Sequence, residues 1–355
     1  MMPVVIRRTA GGGLARGGFV RPALVVLLVV SVVLAAGQGA MSISPGQVLA
    51  VLLSKIGIRL PVEYTEGMAG VLLQIRLPRI MLAMLVGSGL AIAGASLQGL
   101  FRNPMADPVL IGISSGASVT AVGVLVLLGG AGGYYVLNAV SFSGACLSTV
   151  VVFRLARTGG RTVVAMLLLA GLAVNALCNA LTGLITYSAN NEQLRSVTFW
   201  LMGSLGGASW SSIVALLPFI IIPVVLLPFS AKALNAWSLG EQEAGDLGVD
   251  ARKLKLRIMV LATLAVGASV AIAGIIGFVG LIVPHIMRTL SGGDHRRLLP
   301  DSALFGASLL VLADLVSRTM LAPAELPIGI ITAVLGTPLF IFLLYRYKRD
   351  NYAKD

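Results

Sequence analysis

Few residues in this 355-residue chain are equipped for chemistry, and most of them are surrounded by apolar sequence. Asp314 and Arg318 stand four apart, a spacing that puts two side chains on one helical face, so they are expected to form an ion pair. Arg76 and Arg79 flank Pro78 at the start of another apolar run. His285 follows Pro284, and His295 lies within Asp294-His-Arg-Arg297; neither has a metal-ligand spacing. Cys146 and Cys178 each sit deep in an apolar segment and read as small buried hydrophobes. None of the six lysines follows a glycine, so there is no Walker A phosphate cradle, and no nucleophile stands beside a base. No catalytic residue and no metal ligand is therefore assigned, any ATP that drives the protein is expected on another polypeptide, and a membrane enzyme is the weaker class. What these residues can do is pair with one another inside a largely apolar molecule.

The elements that must hold them are helices in lipid. Hydrophobic residues make up 57% of the chain and charged residues 11%, against roughly 25% charged in a soluble domain. The net charge of +12 does not point to nucleic acid, because the basic residues lie between apolar runs rather than on one face. At about 20 apolar residues per crossing, ten spans are expected: 22–41, 79–99, 109–128, 136–156, 163–186, 211–230, 256–276, 277–290, 302–321 and 328–345. The first is read as a retained helix rather than a cleaved signal peptide. The eighth is short and follows the seventh directly, with Gly277 and Gly280 near the turn. Ten spans place both termini on one side. All but Lys55, Arg59, Arg76, Arg79, Arg195 and Arg318 of the 26 basic residues then share that side, which makes it cytoplasmic. Trp200 and Trp210 are expected near the outer interface and Trp237 near the inner one.

The chain is read as one transmembrane unit over 1–355, with a cytoplasmic tail at 1–21, a membrane core over 22–345 and a second tail at 346–355. Short interfacial helices are expected in 42–77 and 187–210, and a charged loop at 231–255. Val86–Gly94 matches Val266–Gly274 at six of nine positions, and Pro104 and Pro284 keep the same offset of 180. On the ten-span topology this is an inverted repeat, a common transporter plan. Gly87, Ala91, Ala95 and Gly99 form a small-residue stripe for close helix packing. Asn103 and Asp107 are expected to cap the helix ends broken by Pro104 and Pro108.

The strings Gln74-Ile-Arg-Leu-Pro-Arg79, Gly99-Leu-Phe-Arg-Asn-Pro-Met-Ala-Asp-Pro108, Leu167-Leu-Leu-Ala-Gly171, Gly277-Phe-Val-Gly-Leu-Ile-Val-Pro-His285, Asp294-His-Arg-Arg-Leu-Leu-Pro300 and Glu325-Leu-Pro-Ile-Gly329 resemble the permeases of type II ABC importers. These are the iron-siderophore, haem and cobalamin importers, and the likeness runs from about residue 22 to 345. It implies an all-α, ten-helix permease in the bacterial inner membrane that pairs with a second copy of itself. It further implies two cytoplasmic ATP-binding-cassette subunits, which bind the ATP-Mg and perform the hydrolysis, and a periplasmic substrate-binding protein. No cofactor is expected on this chain. Arg76, Arg79 and Arg318 match family positions that meet acidic residues of the binding protein, so charge reversal at Arg76 and Arg79 is expected to weaken docking and spare the fold. Leu239, Gly240, Glu241, Ala244, Leu247 and Gly248 match the helix that couples to the ATPase, and Glu241→Arg is expected to uncouple it. Asn103 and Met105 match the cytoplasmic gate, whose other segment reads Val164-Ala165 here. That segment carries hydroxyls in the cobalamin permease, which disfavours cobalamin. Gly183-Leu-Ile-Thr-Tyr187 and Arg195–Gly207 look most like the haem branch. Haem import by alternating access is thus the leading expectation and a ferric siderophore the runner-up. An ion-coupled secondary transporter would need buried acids, for which Asp314 is the one candidate.

Overall fold

The computed structural model describes residues 13–352 apart from 131, 159–160 and 163, so the first twelve residues of the expected N-terminal tail and the last three of the chain lie outside it. Among the described residues the regular elements are all helical, but for a two-residue antiparallel pairing of Arg157–Thr158 with Arg161–Thr162. Its helices are α1 (Gly13–Gly37), α2 (Pro45–Ser54), α3 (Glu66–Gly70), α4 (Leu77–Phe101), α5 (Ile113–Leu127), α6 (Gly133–Leu155), α7 (Val164–Tyr187) and α8 (Asn191–Met202). The second half holds α9 (Trp210–Leu226), α10 (Ala231–Trp237), α11 (Glu241–Asp246), α12 (Ala251–Ala273), α13 (Val279–Ser291), α14 (His295–Thr319) and α15 (Ile328–Tyr352).

Each of the ten expected spans is an apolar helix. Among the described residues seven helical segments are long and apolar enough to cross a bilayer; α5, α13 and the Ile328–Phe342 part of α15 are apolar but shorter. Backbone breaks trim two of them. A 3-10 turn at Pro108–Ile111 and left-handed Gly112 delay the start of α5, and Gly274 and Phe278, both at positive φ, separate α12 from α13. α2 and α3 supply the short helices expected in 42–77, and α8 the one in 187–210. Ser44 with Gln47 and Asn190 with Gln193 close capping boxes that start α2 and α8.

The 36-residue segment Glu66–Phe101, which contains α4, is the most buried of the spans. Between α3 and α4 the helix widens to a π-turn over Val71–Arg76, just ahead of Pro78. Proline has no N–H to donate and its ring crowds the carbonyl four residues back, and the wider turn absorbs both defects. Small residues then set the depth of packing. A Cβ built on Gly87 would lie 2.2 Å from the Gly306 carbonyl oxygen, one on Gly306 2.4 Å from the Ala91 Cβ, and one on Gly99 2.5 Å from His295 Nε2. The stripe seen in the sequence is therefore the seam between α4 and α14. Gly94 faces α13 instead, where an added Cβ would meet the Gly280 oxygen at 1.9 Å.

Chain direction bears on the repeat. α4 runs from Arg79 toward Leu100, whose carbonyl accepts from Trp237 Nε1 at 2.8 Å. α12 starts at that same end, where Lys255 pairs with Glu241, and runs back to Gly274, against the Trp200 carbonyl at the other end. The two copies of the repeat are antiparallel, as expected. They part at their last matched residue: α4 continues through Gly94, whereas α12 stops at Ala273. One expectation needs correction. Trp237 is fully buried, with its indole under the Lys255 ammonium, so it locks α10 to α4 and does not lie at a lipid interface. Its only polar atom finds a protein carbonyl, which removes the need for water.

Replacing Gly94 by Val should push α4 off α13 and destabilise the chain by roughly 1–3 kcal/mol, the usual cost of overpacking. Gly123→Ala, where an added Cβ meets nothing within 4 Å, should leave the melting temperature in detergent unchanged. Equal melting temperatures for the two variants would contradict the seam.

Candidate functional site

At the end of the bundle where α1 finishes, five charged side chains meet. Arg79 on α4 donates from Nε to Asp314 Oδ1 on α14 at 2.8 Å and from one terminal nitrogen to both Glu325 oxygens at 2.8 and 2.9 Å. Arg318, one turn beyond Asp314, lies 3.5 Å from Asp314 Oδ2, so the expected pair forms. Arg318 also donates to the Ala35 carbonyl. Arg76 donates to the carbonyls of Ala36 (2.6 Å), Gly37 (3.0 Å) and Met41. These oxygens belong to the last turn of α1 and the residues just after it, where carbonyls have no intrahelical partner and the helix dipole is negative. Three guanidiniums against two carboxylates leave one positive charge in excess, and the end of α1 offsets part of it.

The side chains of Asp314 and Arg79 are 2% and 9% exposed, whereas that of Glu325 is 47% exposed. Arg76, Arg79 and Arg318 therefore converge, as their shared assignment to docking requires, but each points into the chain and already has partners there. The expectation that charge reversal at Arg76 or Arg79 spares the fold does not hold. A carboxylate at position 79 would face the buried Asp314 carboxylate as well as half-exposed Glu325. Glu325 is the member that residue spacing did not reveal, since 246 residues separate it from Arg79. It is positioned by the loop after α14, whose Leu326 amide donates to the Ser317 carbonyl at 3.0 Å.

At the opposite end α10 and α11 form a short helical projection. Gly240 precedes α11 at φ 151°, and a Cβ there would fall 1.7 Å from a Glu243 oxygen. Ala244 is buried and fixes the projection against the bundle, while Leu239 and Leu247 on either side of α11 are 65% and 64% exposed. Two leucines held out beside a helix turn suit an apolar groove on another protein. Glu241 is engaged within the chain, pairing at 2.8 Å with Lys255, whose side chain is buried. Gly248, in the turn after α11, is left-handed. Asp250 caps α12, and the Lys253 backbone amide together with the Lys253 ammonium holds its carboxyl below the usual range.

Asn103 and Met105 lie in the turn after α4, where Asn103 Oδ1 accepts from the Met105 amide at 2.9 Å and Asp107 Oδ1 from the Val109 amide at 2.8 Å. Val164 and Ala165 open α7, and no hydrogen bond joins them to Asn103 or Met105 among the described residues. α7 is instead tied to this region by Asn175, whose Nδ2 donates to the Val109 carbonyl at 2.8 Å. Asn175 also meets Ser115 at 2.5 Å. Asn175, set with Asn179 in an otherwise apolar helix, was the available signal for this tie, but its partner was not legible. Among the described residues no cluster of three His, Cys, Asp or Glu side chains is arranged for a metal ion.

The model of the FecCD transport family matches residues 27–346. A hemin transport system permease protein of Yersinia pestis is 42% identical over 332 residues, which is 92% of this chain and 96% of that protein. A cobalamin import system permease protein of Halobacterium salinarum is 44% identical, covering 76% of this chain and 72% of its own length. The solved structure of an inward-facing putative metal-chelate type ABC transporter superposes with a TM-score of 0.81 at 34% identity, over 93% of this chain and 99% of that one.

Arg79→Ala should strip Asp314 of its nearest cation and cost about 3–5 kcal/mol, the penalty for an orphaned buried charge. Arg79→Ala with Asp314→Ala should recover part of that loss, read as thermal unfolding in detergent; a double variant no more stable than the single one would refute the pairing. For the other end, Leu247→Asp should reduce co-purification of an ATPase subunit at least tenfold while the melting temperature of the permease alone is kept.

Proposed function

The chain belongs to the FecCD transport family, and on that premise we propose that it forms the membrane pathway of an ATP-driven haem importer. It is a multi-pass permease subunit of a type II ABC importer, and hydrolysis belongs to a separate ATPase. The haem assignment is carried by one observation: identity to the hemin permease extends over nearly the whole of both chains. In this reading two copies enclose the pathway in the bacterial inner membrane, with both termini and α11 on the cytoplasmic side. Each copy offers Leu239 and Leu247 to one ATPase subunit, and Ala244, Gly240 and Gly248 give α11 its shape. The Glu241–Lys255 pair joins α11 to α12, so a displacement of the ATPase pulls on a helix that crosses the membrane.

The Arg79 end then faces the periplasm. Its excess positive charge attracts an acidic surface, which is how Arg76, Arg79 and Arg318 contribute to docking of the binding protein: by field, with Glu325 as the accessible member of the cluster. Alternating access follows if ATP closes the ATPases and the α11 projections move with them. Asn103, Met105, Val164 and Ala165 sit on segments that border the pathway at the cytoplasmic end and serve as its gate. A cobalamin reading has its own support in relatives of 42–44% identity that carry that name, and the hydroxyl-free Val164-Ala165 segment stands against it.

The test is uptake into proteoliposomes containing the permease and its ATPase, with the binding protein outside and ATP inside. Haem, a ferric siderophore and cobalamin are supplied in parallel. Haem uptake that requires ATP is the expected result. ATP-dependent uptake of one of the other solutes alone would overturn the substrate, and uptake that follows an ion gradient without ATP would overturn the importer reading.

A further inference from the structure

The outward face of α12 carries an apolar ridge, Leu256 and Val260, each about half exposed. A groove runs along either side of it. One, of about 290 Å³, lies between α6 and α12 with Val150, Phe153 and Met259 among its walls. The other, of about 570 Å³, lies between α9 and α12 and is walled by Leu226 and Phe229. Leu256 and Val260 line both. Each groove has two cations: Arg154 and Arg157 in the first, Lys253 and Arg257 in the second. Those cations gather at the α11 end, since α6 finishes there and α12 begins there.

Segregation of basic residues to the cytoplasmic side accounts for cations beyond the ends of helices. Arg257, six residues into α12 and about 9 Å from its start, belongs to the same cytoplasmic set but also borders an apolar groove. Among the described residues no carboxylate lies within 4 Å of Arg154, Arg157 or Arg257, and Lys253 has only the exposed Asp250 at 3.5 Å, a pair of little worth in water. The arrangement is thus four cations with one exposed carboxylate among them, at the mouth of two apolar channels. An acidic protein surface would satisfy the cations and leave the channels unfilled. A two-chain anionic lipid satisfies both, because guanidiniums bind phosphate oxygens in a fork and acyl chains fill the grooves.

We propose that one anionic phospholipid seats on α12, its phosphate between Arg154 and Arg157 on one side and Lys253 and Arg257 on the other, with an acyl chain in each groove astride Leu256 and Val260. It takes from the previous reading only the cytoplasmic placement of the α11 end, and nothing in it depends on haem. A lipid clamped there bridges α6, α9 and α12, which fixes the position of α12 against its neighbours and stabilises the assembled permease.

The experiment is native mass spectrometry of the permease–ATPase complex, titrated with dioleoyl phosphatidylglycerol, dioleoyl phosphatidylcholine or inorganic phosphate. One bound phosphatidylglycerol per permease chain should survive removal of detergent, and neither of the other two probes should. Retention should fall roughly fivefold for each cation neutralised in R154Q/R157Q and in K253Q/R257Q. Val260→Trp keeps every charge and narrows both grooves, so it should lower retention as well. Melting temperatures in phosphatidylcholine, unchanged across these exposed substitutions, establish that each variant folds. Equal retention of the two lipids, or binding of inorganic phosphate alone, would overturn the proposal. So would Gln variants that keep phosphatidylglycerol but shed the ATPase, since the cations would then serve the partner subunit.

Discussion

A carboxylate buried between two membrane helices cannot be left without a counter-charge, and Asp314 is such a group. Arg79 meets it across the α4–α14 seam, which fixes the axial register of the two most closely packed helices in the chain. The other contacts at this end follow from that one. Arg318 shares the carboxylate, and the excess of positive charge then draws in whatever negative groups are near. Those are the free carbonyls that finish α1 and the Glu325 carboxylate on the loop after α14. Segments of α1, α4, α14 and the loop that follows it are joined by one electrostatic requirement, that a buried carboxylate keep its counter-charge. The same cluster explains why three arginines occupy an end that otherwise holds few basic residues.

Such a register is possible only because the backbones come close enough. Gly87 against Gly306 and Gly94 against Gly280 leave no room for a methyl group, so contact there is backbone to backbone and van der Waals in origin, the mode that substitutes for a hydrophobic drive in lipid. At the other end of α4 the groups that need satisfying are neutral or singly charged. Trp237 donates to the end of α4, Asn235 holds both Asp294 and His295, Gln98 meets Arg288, and Arg21 of α1 reaches the buried Asp301. The result is an ion cluster at one end and, at the other, short helices tied to the bundle by separate hydrogen bonds and ion pairs. α11 is one of these. It is joined to α12 by the Glu241–Lys255 ion pair, whose ammonium lies over the Trp237 indole.

Much of the chain was legible before its fold was known, because lipid imposes rules with few exceptions. Ten apolar runs became ten helices, the small-residue stripe became a packing seam, Asp107 capped the 3-10 turn it precedes while Asn103 only closed a turn onto the Met105 amide, and Asp314 paired with Arg318 one turn away. Each of these rests on near neighbours in sequence, where spacing alone sets geometry. The reading of Trp237 went wrong for the same reason. Its position beside charged sequence suggested a lipid interface, and its actual partner is the Leu100 carbonyl, 137 residues away.

The sequence by itself determined the class of molecule, the number and order of the apolar helices, the antiparallel repeat and, through its motifs, the family. Those are consequences of composition and local periodicity. Only the tertiary structure decided where the candidate side chains turn: that Arg76, Arg79 and Arg318 turn inward to an ion cluster, that Glu325 completes it, that Glu241 is bound to Lys255 and leaves Leu239 and Leu247 exposed, and that four cations line the grooves beside α12. Each depends on groups brought together by packing from segments that spacing cannot relate, and a charge acts through its nearest opposite charge, wherever in the chain that lies.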